Sequence, residues 1–272
     1  MKRHLIFAFL LIGLGCDTQN FSPYNSETVV IEGFLYAGVP VDSFYVSELI
    51  PLISDEDSTY EINDAEVYLS WGDSDFLLTP MSGNDGYYEY SGSDLSIEVG
   101  ESYQMNLTYA GKEISANTTV PSSPTGLTLS LESIEIEEIN DFEDLQDRND
   151  TLLIEVQWNN SSGDFYYVVV ENIESNPKEI NQMDFGGMGR PNFQITTEPT
   201  SLDVHNIRAM ELSQYGTHRV VLYHVNQEYA DLFESYDQDS RTLTEPLTNI
   251  DNGVGIFSSF SSDTTYFEVL KP

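Results

Sequence analysis

Histidines, carboxylates and one cysteine are the side chains here that could do acid–base or covalent chemistry, and their spacing limits what is available. His4 stands near the start, and His205, His218 and His224 remain further on. None of them falls in the His-Glu-x-x-His spacing that sets two imidazoles on zinc beside a general base. His218 and His224 are six residues apart. On a strand that puts them on one face but about 20 Å from each other, too far to share a metal. There is no Gly-x-Ser-x-Gly elbow for a serine nucleophile. With 46 Asp and Glu residues some carboxylates must lie close together, so closeness alone does not argue for glycoside hydrolysis. Asp55-Glu56-Asp57 and Asp73-Ser74-Asp75 lack the glycine and distal glutamate of a calcium loop, and a structural calcium between domains stays only as an alternative. Gly187-Met188-Gly189 lacks its third glycine, at Asn192, and no helix follows, so it is no phosphate cradle. No catalytic residue and no metal ligand is assigned.

The thiol has a more definite fate. Lys2 and Arg3 precede an uncharged apolar run from Leu5 to Leu14, followed by Gly15 and the only cysteine, Cys16. That is the three-part layout of a secretory signal. A helical run of this length covers roughly 15 Å, about half of what a bilayer core demands. Ile12-Gly13-Leu14-Gly15-Cys16 resembles the lipobox of bacterial lipoproteins, although lipoboxes favour Leu where this chain has Gly13. The resemblance implies a signal peptide over residues 1–15, cleavage after Gly15, acyl chains such as palmitate on Cys16, and a lipidated tether over residues 16–26. With its one thiol acylated, the chain has no disulfide, zinc cluster or cysteine nucleophile.

The formal charge is −36 at pH 7. Such a polyanion is repelled by phosphate backbones, which excludes nucleic acid as a partner. It is repelled by anionic head groups too, so the lipid itself must supply membrane affinity. The acids are spread along the chain and read as a solvated surface. Disorder is excluded by a 40% hydrophobic content with 17 Tyr and 14 Phe.

The elements that would position any site read as strands. Over residues 27–121, short period-two runs are separated by Gly, Pro, Asn and Asp, the pattern of antiparallel strands with one wet face. Ala65, Val67, Leu69 and Trp71 point one way, Glu66, Tyr68 and Ser70 the other. Asn84-Asp85-Gly86 and Ala110-Gly111 offer the positive-φ positions of tight hairpins. Ile31-Glu32-Gly33, Ile62-Asn63-Asp64-Ala65-Glu66-Val67, Asp85-Gly86-Tyr87-Tyr88, Gly100 and Tyr103-Gln104-Met105-Asn106-Leu107 resemble, in their order, the carboxypeptidase-regulatory-like, transthyretin-like sandwich.

Pro121-Ser122-Ser123-Pro124-Thr125-Gly126 reads as a stiff linker. Residues 122–272 then form a second sandwich. Leu152, Ile154, Val156 and Trp158 alternate, a polar turn follows, and Phe165 to Val170 returns as a near-continuous apolar strand. This resembles strands of a fibronectin type III domain, with Trp158 in the core. Tyr229, Leu232, Phe233 and Tyr236 recur at helical spacing and predict one amphipathic helix over 226–237, with Asn226 as its cap. The last strands are expected at Val254 to Phe260 and Thr264 to Leu270. The fold class is therefore all-β, two Ig-like sandwiches in tandem, the second carrying one short helix.

Binding is expected on loops. The candidates are Phe185 and Arg190 in a glycine-rich loop, and Asn249, Asn252, Gly253 and Gly255 in the run Asn249-Ile250-Asp251-Asn252-Gly253-Val254-Gly255-Ile256-Phe257. That run, after the tyrosine-rich helix and behind a lipobox and a regulatory-like module, resembles a family of Bacteroidetes-type outer-membrane lipoproteins encoded beside TonB-dependent receptors. The resemblance implies attachment to the outer membrane, facing the surface or the periplasm, and a non-catalytic accessory role in uptake through such a receptor. A structural or adhesive surface protein is the alternative, and a surface hydrolase the third reading.

Overall fold

The computed structural model of the chain describes residues 28–49, 60–140, 144, 152–181, 194–236 and 247–272. The first half comprises β1 (Val29–Tyr36), β2 (Phe44–Glu48), β3 (Tyr60–Glu61), β4 (Glu66–Trp71), β5 (Ser74–Pro80), β6 (Tyr87–Glu89), β7 (Ser102–Tyr109) and β8 (Lys112–Thr119). The alternation read from the sequence is the alternation of burial: Tyr103, Met105 and Leu107 of β7 face a core with Val67 and Leu69 of β4 while their neighbours face water. The hairpin from β7 to β8 closes on Ala110 and Gly111, with φ of +48° and +77°, as a two-residue turn between twisted strands requires. Two of the sequence motifs meet in space. The Tyr88 hydroxyl donates to Ile62 O and accepts from the Ala65 amide, and Asn63 Oδ1 accepts from the Gly86 amide.

The second half comprises β9 (Thr128–Leu129), β10 (Ser133–Glu135), β11 (Leu152–Gln157), β12 (Phe165–Asn172), β13 (Ile195–Thr196), β14 (Val204–Arg208), β15 (Gly216–Val225), α1 (Gln227–Tyr236) and β16 (Val254–Leu270). A three-stranded sheet, β14-β11-β9, covers one face of β12, β15 and β16. Trp158 lies between these layers, 4% exposed and in contact with Tyr166. The apolar run of β12 is buried on both faces. Tyr166, Val168 and Val170 point into this core, while Tyr167 and Val169 point to the other side, where Phe34, Tyr36, Tyr223, Tyr229 and Phe260 gather.

The two sandwiches are joined by more than a linker. One continuous path of strands runs β13-β12-β15-β16-β1-β2-β6-β5-β4-β7-β8. Where the sequence predicts two terminal strands, the chain forms one of 17 residues. Ser261, Ser262 and Asp263 look like a turn but pair with His224, Tyr223 and Leu222 of β15. The first part of β16, Val254 to Phe260, pairs parallel with β1, and Phe260 to Val269 pairs antiparallel with β15. Ile250 and Phe257 therefore belong to the core of the first half. At its far edge β8 curls back onto this segment: Ser115 and Asp251 exchange two backbone bonds, and Thr118 Oγ1 lies 2.9 Å from Ser259 Oγ. Asn226 donates to both of those hydroxyls, so the start of α1 is tied to each half.

The proline-rich segment is held against the second sandwich. The Ser122 carbonyl accepts from His224 Nδ1 at 2.7 Å and from Ser261 Oγ at 2.8 Å, and Pro124 is buried. The helix spans ten residues within the expected range. It beds on Tyr229 and Ala230, leaving Phe233, which the helical spacing assigns to the packed face, exposed. Among the described residues no helix is long and apolar enough to cross a membrane.

Candidate functional site

At the tip of the β4–β5 hairpin the core gives out and a cleft of about 650 Å³ opens, lined by Trp71, Ser74, Asp75, Phe76, Leu77, Tyr90 and Asp94. Trp71 and Ser74 are the last cross-strand pair, and Gly72 supplies the positive φ, +59°, that starts the two-residue turn between them. Trp71 continues the inward face of Val67 and Leu69, but it lies past the end of the packed layer and is only partly covered. Its ring lies at 6.0 Å from that of Tyr103, and its Nε1 donates to Glu101 at 3.1 Å. Phe76 meets Tyr90 edge to face at 5.4 Å.

Each carboxylate of the cleft is oriented from behind. Asn106 donates to Ser70 Oγ at 3.1 Å, and Ser70 donates in turn to Asp75 at 2.5 Å. The Tyr90 hydroxyl donates to Asp94 at 2.5 Å, and that bond holds the phenol above its usual pKa, because ionising it would break the bond and set two anions together. The arrangement provides ring surfaces for stacking and carboxylate oxygens for hydrogen bonds, with Leu77 exposed at the rim. A second opening of about 460 Å³, among Leu131, Ile134, Leu152, Leu153 and Leu270, is aliphatic and carries only Ser133 and Glu135 as polar lining.

Two of the three described histidines are occupied with packing, while His205 Nε2 is buried without a hydrogen-bond partner. His218 Nδ1 donates to Gly216 O, its ring stacks on Phe267, and burial lowers its pKa. His224 stacks on Tyr166 at 4.5 Å with Nδ1 on the Ser122 carbonyl. His205 is also pushed down by burial. Among the described residues no cluster of His, Cys, Asp or Glu has the geometry of a metal site.

Of the residues singled out in the sequence, Gly15, Cys16, Phe185 and Arg190 lie outside the described residues. Asn249, Asn252, Gly253 and Gly255 stand together at the entry to β16, where the Asn249 amide is bonded at both ends inside the chain and the exposed Asn252 makes one such bond. Asn249 uses its side-chain amide like a strand: Nδ2 donates to Phe257 O at 2.7 Å, and Oδ1 accepts from Phe257 N at 2.9 Å. Asn252, at φ +62°, donates to Glu113 O. A Cβ on Gly253 would meet Ile250 at 2.9 Å, and one on Gly255 would meet the Ile31 carbonyl oxygen at 2.0 Å. These glycines make room for β1 and the β8 edge. Trp71, Ser74 and Asp75 are visible in the sequence only as a strand face and an acidic run, and nothing there joins them to Tyr90 and Asp94. As a sequence, Asp73-Ser74-Asp75 is only an incomplete calcium loop; the local signal for the site is Trp71 at the tip of a hairpin with Asp75 on the returning strand, while Asp94, after β6, has no such signal.

Fold and cleft together define a class: an all-β protein of sandwich-packed sheets with a ring-lined cleft at a hairpin tip. The chain belongs to the family described as Domain of unknown function (DUF4249), whose model matches residues 18–266. No curated protein matches it. Among solved structures it is similar to the FN1–FN3 domains of chicken CNTN1, at 10% identity over 90% of this chain and 68% of that one. The TM-score there is 0.26, too slight a likeness to carry detail.

Proposed function

We propose that the protein is a non-catalytic accessory, lipid-anchored to the outer membrane through Cys16, that gathers a ligand for a TonB-dependent receptor. The cleft at the β4–β5 tip carries this reading, because stacking rings beside oriented carboxylates are the equipment of recognition. The lipobox-like leader supports the anchor, and the commitment of His218 and His224 to packing supports a role without catalysis. Two measurements on the living cell test it. Labelled palmitate should enter the wild-type protein and not Cys16→Ala. Deleting the gene should cut uptake by the receptor encoded beside it, with wild type but not Cys16→Ala restoring it. Unchanged uptake in the deletion strain overturns the accessory role.

A further inference from the structure

The cleft is short of free hydrogen-bond donors. The Trp71 indole N–H is committed to Glu101 and the Tyr90 hydroxyl to Asp94, so Ser74 is the one lining side chain left able to donate. Acceptors, by contrast, are in surplus. Asp75 and Asp94 each accept one short bond and keep further lone pairs, and no Lys or Arg lines the cleft. A neutral polyhydroxyl ligand, which both gives and takes hydrogen bonds, would find only half of its partners here. An ammonium or guanidinium, which only donates, fits the inventory. The rings beside the carboxylates add the attraction of a π face for a cation. The field of a chain at −36 draws cations in and keeps anions away.

We infer that the cleft formed by Trp71, Phe76, Tyr90, Asp75 and Asp94 receives an alkylammonium or guanidinium group, from a basic peptide or a free polyamine. The inference rests on the reading of this cleft as the ligand site and names the chemistry of that ligand.

Calorimetric titration of the acylated mature protein, beginning at Cys16, with a tri-lysine peptide, spermidine and maltohexaose tests it. At least one amine should bind. Its affinity should fall about tenfold in Asp75→Asn/Asp94→Asn and about threefold in Trp71→Ala. A control pair at exposed acids elsewhere, Glu135→Gln/Asp263→Asn, removes the same charge and should leave affinity unchanged. Binding should also weaken between 50 and 500 mM salt, roughly a range over which screening shortens from beyond 10 Å to a few ångströms. Preference for tri-lysine identifies a basic peptide as the source, and preference for spermidine a free polyamine. Equal losses in the two double variants would reduce the effect to diffuse attraction and overturn the inference, as would the absence of amine binding. Maltohexaose binding that is sensitive to Trp71→Ala would overturn the amine and leave the cleft as a ligand site, so the two readings fail separately.

Discussion

Asn249 replaces a strand with a side chain. Its amide makes both backbone bonds of Phe257, at 2.7 and 2.9 Å, at the point where the chain must turn into β16 beneath β1. Asn249→Ala removes both partners from a residue whose side chain is fully buried. At about 1 kcal/mol net for each bond, and more where a group stays unpaired, the loss should be about 2–3 kcal/mol. For a chain of this size that lowers the melting temperature by roughly 5–10 °C, read by circular dichroism. A change below about 1 °C would show that water replaces the brace freely. The run from Asn249 to Phe257 is conspicuous in the sequence, but spacing alone does not say whether its amides and glycines serve a ligand or the backbone. The answer depends on Ile31, whose carbonyl oxygen occupies the space a Cβ on Gly255 would need, and Ile31 is more than two hundred residues away in the chain.

The elements around β16 are sealed by an aromatic row. Tyr167 of β12 stacks on Tyr223 of β15 at 4.8 Å, Tyr36 of β1 stacks on Phe260 of β16 at 4.8 Å, and Tyr229 of α1 meets Phe260 at 4.9 Å. The row crosses the place where β16 changes partners, so it joins strands of both halves. Burial raises the pKa of all four phenols, with that of Tyr36 moved up to about 12 and that of Tyr167 moved up further. In the unfolded chain tyrosines ionise near pH 10. Between pH 10 and about 12 the folded state therefore holds protons that the unfolded state has released, and stability must fall as pH rises through that window. The urea midpoint should be flat from pH 8 to 9.5 and drop by pH 11, and Tyr36→Phe should lessen the drop. An unchanged slope in that variant would mean its hydroxyl stays in water. The continuous apolar run of β12 already shows in the sequence that both faces are covered. The identity of the outer cover is less legible: a periodic stripe marks α1 as amphipathic, but its rotation is set by how Tyr229 and Ala230 fit Phe34 and Phe260, which leaves Phe233 outside.

At the scale of the whole molecule, a prolyl segment and two kinds of sandwich motif point to two modules, while the buried residues gather in three clusters, one in each half and a third that draws on both. The pairing that unites them is invisible to periodicity, because alternation marks a strand without naming its neighbour and β1 and β16 lie at opposite ends of the chain. The consequence is that residues 27–121 should not fold alone. Cut away from β16, the first core loses Ile250 and Phe257. Deletions of that kind cost about 2–5 and 3–5 kcal/mol respectively, against the 5–14 kcal/mol that about 95 residues command at 0.05–0.15 kcal/mol each. The fragment also exposes Val30 to Tyr36 of β1 as an open edge, where the full chain has a parallel partner. Expressed as residues 27–121, it should show little amide dispersion in a proton–nitrogen correlation spectrum, no cooperative melt and a tendency to aggregate. The full chain should melt in a single transition, since β16 cannot leave one half without opening the other. A sharp thermal transition in the isolated fragment would show that the first sandwich closes without its borrowed strand, and the shared β16 would then be a clasp between two self-sufficient modules.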